Sequence, residues 1–236
     1  ISAAYYVNTI ASRLAKANPE IVAAIRQWSA NPQDPNLVSK LEQNSELKSI
    51  LLEASPWILQ AQNETEQMQS LHRLFDQNRL DYLQKQALEK LGALQTPEGG
   101  WSWFKGMNSS RFMTLNVLAI MAKANTVGAQ EYGQEEKSMQ IKALRYLDQS
   151  IVQDFKHTPK RIGYDQILYL YVRSLYRDIP LGDALTAHKY FMSLAQKQWS
   201  RFSLYEKAIT VITFKNYGFS AESHNILKSL RQYAVT

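Results

Sequence analysis

Apolar residues recur at helical spacing along most of this chain, and they predict helices of two alternating kinds. Three predicted helices are apolar on nearly every side: 112–124, 163–177 and 203–216. Each is followed by a predicted helix with one apolar stripe and a charged back: 136–155, 183–198 and 220–234. A helix that is apolar all round is expected to be buried on both faces, whereas a one-sided helix is expected to face water with its charged side.

The N-terminal part of the chain is predicted to be helical as well. A first apolar stripe ends before Pro19, and a second helix runs from about Pro19 to Trp28. A linker at 31–35 is followed by helices near 37–54, 64–76 and 79–94. The last of these carries a regular apolar seam: Leu80, Leu83, Ala87, Leu91 and Leu94. No strand pattern extends beyond a few residues, so the fold class predicted is all-α.

Helical hairpins spaced roughly 40–50 residues apart are compatible with two architectures. One is an open solenoid of helix pairs, and the other is a closed α/α toroid with an inner ring and an outer shell of helices. The toroid is favoured because the inner helices are apolar on both faces and the repeats are unlike in sequence. We therefore predict one domain over residues 1–236, with too few helices to complete the ring.

An aromatic loop interrupts the helical pattern in the middle of the chain. Its residues follow a Gln-x-x-x-Gly-x-Trp pattern and add further aromatic rings: Gln95, Gly99, Gly100, Trp101, Trp103 and Phe104. Glycine permits backbone angles that a Cβ forbids, so the Trp ring can fold over a hairpin end while the Gln amide binds helix-terminal backbone groups. We interpret the loop as a structural staple, and a platform on which a ligand stacks is the alternative.

No catalytic or metal-binding residues are predicted. The four histidines are isolated in sequence, and none belongs to a His-Glu-x-x-His pattern: His72, His157, His188 and His224. We expect His72 and His188 at the surface or an interface, and His157, in a loop beside lysines, is the one functional candidate. Three acids near helix ends are expected to cap or to be solvated: Asp165, Asp178 and Asp183.

The charge and the cysteine content exclude some further classes. The net charge is +6, but the basic residues are dispersed, and the densest cluster lies in a predicted loop (Lys156, His157, Lys160, Arg161). A nucleic-acid-binding protein usually concentrates its bases on one face, so no nucleic-acid partner is predicted. The absence of cysteine excludes disulfides, thiolate metal sites and a cysteine nucleophile within these residues.

An ordered set of segments resembles the thioester-domain region of alpha-2-macroglobulin-like proteins, especially the large bacterial ones. The resemblance covers most of the chain and rests on 1–11, 55–64, 74–78 and 95–106 followed by the two-sided helix. It implies an α/α toroid inside a longer multidomain, exported protein that traps proteases. Many members carry a Cys-x-Glu-Gln thioester just before a helix like the one that opens here, but this chain has no cysteine and cannot form one.

The sequence and the resemblance together predict a non-catalytic toroid domain of a periplasmic, envelope-anchored or extracellular endopeptidase inhibitor. Its expected partners are the other domains of the same parent protein and, in that context, the target proteases; no cofactor, metal or nucleic acid is expected. Terpenoid cyclases use the same Gln-x-x-x-Gly-x-Trp staple, so a toroid enzyme of cyclase or glycosidase type is one alternative. A helical-repeat scaffold that binds protein along a concave face is another.

Overall fold

The described residues of the protein, 1–30, 76–126 and 133–233 of a computed structural model, consist mainly of α-helices. In chain order the helices are α1 (Ser2–Ala17), α2 (Pro19–Ala30), α3 (Gln77–Leu94), α4 (Arg111–Thr126), α5 (Gln134–Lys156), α6 (Tyr164–Ser174), α7 (Leu185–Gln198), α8 (Leu204–Asn216) and α9 (Ser220–Arg231). Single 3₁₀ turns, Gly182–Ala184 and Trp199–Arg201, flank α7. The predicted all-α class is confirmed for these residues, and the predicted linker and helices between 31 and 75 lie outside them.

The chain divides into two compact units. The first contains α1, α2, α3 as far as Leu88 and the end of α4 from Ala124. The second contains residues 89–123 and the described residues from 133 onward. The single domain over 1–236 stays a prediction.

Polar contacts hold the helices of the first unit together. Ser12 Oγ donates to Asp81 Oδ1 at 2.9 Å, and Lys16 Nζ lies 3.4 Å from the same oxygen. Buried Arg13 donates to the Ala124 carbonyl and to Asn125 Oδ1. The buried side of α1 is therefore set partly by hydrogen bonds and only partly by apolar side chains.

Contacts in the second unit connect helices of the same predicted kind. The helices α6 and α8, predicted to be apolar all round, contact each other, and so do α5 and α7, predicted to carry one apolar stripe. In addition, α6 contacts both α5 and α7, while α8 packs along α9. Every residue of α6 from Ile167 to Ser174 is buried, which confirms the prediction that this helix is covered on both faces.

The prediction that α8 is buried on both faces is wrong. Its buried side includes Thr210 and Thr213, whose hydroxyls donate to carbonyls one turn earlier in the same helix, at 2.7 and 2.8 Å. These local hydrogen bonds satisfy the polar atoms and allow the two threonines to be buried. One apolar face of α8 is left exposed, and we call it the α8 face: Leu204, Tyr205, Ala208 and Ile212.

Helix ends follow local signals that agree with the sequence only in part. Ser203 begins α8 with a capping box, because its Oγ accepts from the Glu206 N–H while Glu206 Oε2 accepts from the Ser203 N–H. Gly218, at φ +84°, follows the end of that helix, as is typical of glycine after a helix. Ser220 is a residue type that favours the N-cap position, but Phe219 occupies the N-cap of α9, without a side-chain hydrogen bond.

Candidate functional site

Trp101 anchors the aromatic loop against the end of α3. Its ring is only 1% exposed, and its Nε1–H donates to the Leu91 carbonyl at 2.9 Å. Ser102 N–H and Oγ reach the Leu94 carbonyl, both at 3.2 Å. These acceptors belong to the last turn of α3, whose carbonyls have no partner within the helix. The loop therefore terminates α3 by supplying the hydrogen bonds that its final turn lacks.

Gln95 joins the loop to α5. Its Nε2 group donates to the Gly99 carbonyl and to the Met139 carbonyl, both at 2.9 Å. Met139 lies within α5, so this amide links two elements and leaves the end of α3 to other groups. Sequence reasoning assigned the helix-terminal bond to Gln95, but Trp101 and Ser102 supply it.

The two glycines of the loop are required by close backbone approach. Gly99 has φ +96°, and a Cβ there would lie 2.4 Å from the Lys142 carbonyl oxygen. A Cβ at Gly100 would lie 2.7 Å from Ser109 Cβ and 2.9 Å from Tyr146 Cδ1. Contacts this short are not tolerated without movement of α5 or of the loop.

A substitution at Gly99 separates close approach from backbone strain. Gly99→Ala should destabilise the protein by about 2–4 kcal/mol, because it adds a clash with α5 to the strain of a positive φ. Gly106→Ala is the matched control, since Gly106 has φ +86° but a Cβ there would meet nothing within 4 Å. The control should lose only the strain, about 1–2 kcal/mol. Urea denaturation curves measure both, and equal losses would contradict the close approach.

The remaining aromatic residues of the loop lie at the surface. Trp103 is 51% exposed and Phe104 is 71% exposed. The Trp103 ring stacks on Phe112 at the start of α4, with 6.1 Å between ring centroids and 12° between planes. With exposed Met107 these side chains form a surface that we call the aromatic patch. A stacking platform that includes Trp101 is not possible in this arrangement, because Trp101 is enclosed.

A second group of polar side chains lies inside the second unit, and the sequence reasoning did not identify it. We call it the buried polar cluster: Asp148, Tyr169, Arg173, His188 and Tyr217. Tyr169 OH donates to Asp148 Oδ1 at 2.7 Å, and Arg173 Nε lies 3.5 Å from the same oxygen. The ring centroids of Tyr217 and Tyr169 lie 5.1 and 6.1 Å from that of His188.

The cluster corrects two predictions. Asp148 was expected on the water-facing back of α5, but its side chain turns toward α6 and is 14% exposed. His188 was expected at the surface or an interface, but it is 5% exposed. One signal in the sequence was Arg173 within the apolar run of α6, because a buried arginine requires a buried partner.

The polar atoms of the cluster are not all satisfied. Arg173 is 1% exposed, and its NH2 group donates to the Ile179 carbonyl at 2.9 Å. Its Nε and NH1 atoms and His188 Nε2 are enclosed without a hydrogen-bond partner among the described residues. The 3.5 Å contact with Asp148 is thus an ion pair without a well-formed hydrogen bond.

Burial and neighbouring charges set the ionisation of this cluster. Burial raises the pKa of the Asp148 carboxyl, while Arg173 and the Tyr169 hydroxyl oppose that rise. Burial also raises the pKa of Tyr169, and the adjacent Asp148 raises it further. Burial lowers the pKa of His188 to about 4, and Arg173 adds to the effect. At neutral pH His188 is therefore an uncharged imidazole.

His188 makes stability depend on pH in a defined direction. Its pKa falls from 6.5 to about 4 on folding, so the stability it contributes is fully present above pH 6.5, decreases as the pH falls from 6.5 toward 4, and is lost once the pH has fallen through 4. Between pH 7 and pH 4 the native protein should lose about 3 kcal/mol more than the His188→Phe variant. Urea denaturation at both pH values measures the difference. The control is His224→Phe, at an exposed position of α9, which should lose as much stability between the two pH values as the native protein. If His188→Phe lost as much stability as His224→Phe, the assignment of the pH dependence to His188 would be wrong.

A groove opens beside the cluster. It has a volume of about 300 Å³, and apolar side chains before α7, on α7 and after α8 form much of its wall: Leu181, Leu185, Met192 and Phe219. His188 and Tyr217 also line it, and Lys189 contributes a cation. We call it the α7 groove.

The other residues considered from sequence are not brought together. His157 is exposed at the C-terminal end of α5, in the loop that contains the basic cluster, and His224 is exposed on α9. His72 lies outside the described residues. Asp165 lies in the first turn of α6, while Asp178 and Asp183 are exposed near α7. No group of three or more histidine, cysteine, aspartate or glutamate residues that could hold a metal occurs in the part of the chain that is described.

Comparisons with known proteins provide no relative. The chain matches no family model, and no curated protein or solved structure shows a significant similarity to it. Among the helices of the described ranges, none has the length and apolarity needed to cross a bilayer.

Proposed function

We propose that this chain is a non-catalytic α/α toroid domain of an alpha-2-macroglobulin-like protein that traps proteases outside the cytoplasm. The observation that carries the proposal is the aromatic loop. Its Trp101 and Gln95 side chains are used internally, to close the end of α3 and to hold α5. The aromatic loop, which is part of the family resemblance, therefore holds α3 and α5 together, and this is a structural role.

The layering of the second unit supports a ring of helical hairpins. In such a ring, inner helices contact inner helices and outer helices contact outer ones. The α6–α8 and α5–α7 contacts follow that rule. A straight solenoid of helix pairs obeys the same rule locally. The choice of the toroid therefore rests on the unlike repeats and on the family resemblance.

The state of two carboxylates favours a scaffold over a glycosidase. Asp148 lies against Arg173, and Asp154 accepts from Arg111 NH1 and from Gln166 Nε2, both at 2.6 Å. A glycosidase requires two acids that face a bound sugar, one of them able to donate a proton. Carboxylates that are already bound to arginine stabilise helix packing and are poorly suited to that role.

Two exposed apolar surfaces fit contacts with other domains of the same parent protein. The α8 face exposes Leu204, Tyr205 and Ile212, and the aromatic patch exposes Trp103 and Phe104. Contiguous exposed apolar surface of this kind marks interaction sites in soluble proteins. We propose that both surfaces are covered within the parent, and that proteases are engaged by the assembled molecule.

The product of the complete gene tests this function in a protease assay. Trypsin incubated with it should lose activity on casein in proportion to the protein added, yet should still hydrolyse a small chromogenic amide. A trap excludes large substrates by enclosing the protease and leaves its active site open. Equal inhibition of both substrates, or inhibition of neither, would contradict the proposal.

The contribution of the α8 face can be isolated with two variants of that same gene product. Ile212→Asp should abolish the protection of casein, because a charge would then be buried against the neighbouring domain. Lys215→Asp introduces the same side chain at an exposed position of α8 and should leave protection intact. If the two variants protected casein equally, trapping would not depend on the α8 face.

A further inference from the structure

The α7 groove combines an apolar wall with an enclosed polar group that has no partner. His188 lines the groove, is 5% exposed, and its Nε2 has no hydrogen-bond partner among the described residues. An unsatisfied buried polar group is costly, and a ligand that bonds to the imidazole would remove that cost. The volume of about 300 Å³ is at the small end of ligand sites. It suits one short apolar body better than a length of polypeptide.

The charges around the groove favour an anion. Lys189 lines it, the Arg177 guanidinium lies 5.8 Å from the centroid of the Tyr217 ring, and the charge of Arg173 acts on His188. Acids oppose them: Asp148 is paired with Arg173, Glu222 accepts from Gln196 at 3.4 Å, and Asp183 is exposed in the turn before Leu185. Gln196 lies two helical turns beyond His188 on α7, so Glu222 belongs to the other end of the groove, and Lys189 is the charged side chain that lines it beside His188.

We propose that the α7 groove binds a small amphiphilic carboxylate. The aliphatic body packs against Leu185, Met192 and Phe219, and the carboxylate lies beside the His188 imidazole and Lys189. Because His188 Nε2 is covered, a side chain of the groove wall has to shift before the neutral imidazole donates a hydrogen bond to the carboxylate, and Lys189 adds an attraction across the mouth of the groove. This inference is independent of the proposed protease-trapping function.

Octanoate is the probe, and isothermal titration calorimetry on the full chain is the measurement. Octanoate should bind at one site and more tightly than octanol or octylammonium, which share its chain but lack the negative charge. Ser193→Phe, which fills the groove, should abolish the site. His188→Phe keeps a buried ring but removes the nitrogen atoms, and it should weaken binding about tenfold or more.

Two lysines of α7 provide a matched pair of variants that tests the ionic contact with octanoate. Lys189→Gln should weaken octanoate binding about two- to fivefold, as expected for an exposed ionic contact. Lys197→Gln, exposed on the same helix and away from the groove, should leave the affinity unchanged. The proposal is overturned if octylammonium binds as tightly as octanoate, or if Ser193→Phe, confirmed as folded by circular dichroism, still binds octanoate with native affinity.

Discussion

Replacing Trp101 with alanine should lower the free energy of unfolding by about 3–5 kcal/mol, as expected for the loss of a large buried aromatic side chain. The substitution removes a ring that is 1% exposed and leaves the Leu91 carbonyl without the Nε1–H donor at 2.9 Å. It also leaves the bonds from Ser102 to the Leu94 carbonyl as the remaining ones of those described between the loop and the last turn of α3. Urea denaturation followed by far-UV circular dichroism measures the loss.

Trp103→Ala in the same loop is the matched control. Trp103 is 51% exposed, and its main contact is the stacking on Phe112. The control should lose no more than about 1 kcal/mol, the typical value of an aromatic pair. If both variants lost the same stability, the loop would not be fastened by Trp101, and the interpretation of the aromatic loop as a structural staple would be wrong.

Arg173→Met should destabilise the protein by about 3–5 kcal/mol, because it leaves Asp148 as a buried carboxylate without its cation. The double variant Arg173→Met, Asp148→Asn should recover much of this loss, since neither charge remains. Arg177→Met, at an exposed arginine one turn further on, is the control and should change stability little. A double variant less stable than Arg173→Met would show that the ion pair is not the source of the effect.

The stability of the Arg173→Met variant should also depend on pH in a defined direction. Burial raises the pKa of Asp148, and removal of Arg173 takes away the group that opposes that rise. A carboxyl whose pKa is raised on folding adds stability that is present at low pH and is lost as the pH rises through its folded value. The deficit of Arg173→Met relative to the native protein should therefore shrink as the pH falls below neutral. Urea denaturation at stepped pH measures this trend.

The single apolar stripe of α5 was predictable because its burial depends largely on spacing. Leu144, Leu147 and Ile151 of that stripe are buried, and Phe155 is half-buried. The stripe of α9 was predicted less well, since Leu227 is exposed and the buried residues of that helix are Ser223 and Ile226. α8 departed from its pattern because burial there also accommodates threonines that bond to their own helix. The spacing of apolar residues does not show that a threonine hydroxyl can bond to its own helix. It therefore predicted that Leu204 and Ile212 are buried, whereas both are exposed.

The buried polar cluster shows a different limit of sequence reasoning. Asp148, Arg173 and His188 come from α5, α6 and α7, and their separations in sequence follow no motif. Their proximity arises from the packing of the three helices, which spacing within one helix does not specify. The aromatic loop was easier to predict, because its glycines and aromatic residues are close together in sequence. Even so, the roles predicted for Gln95 and Trp101 were partly exchanged.

The structure of the complete gene product, determined by single-particle cryo-electron microscopy, tests the central claim most directly. We predict helical hairpins arranged in a ring, with strand-rich domains of the same polypeptide covering the α8 face and the aromatic patch. A straight superhelical stack of helix pairs, or a central well lined by two converging carboxylates, would contradict the account.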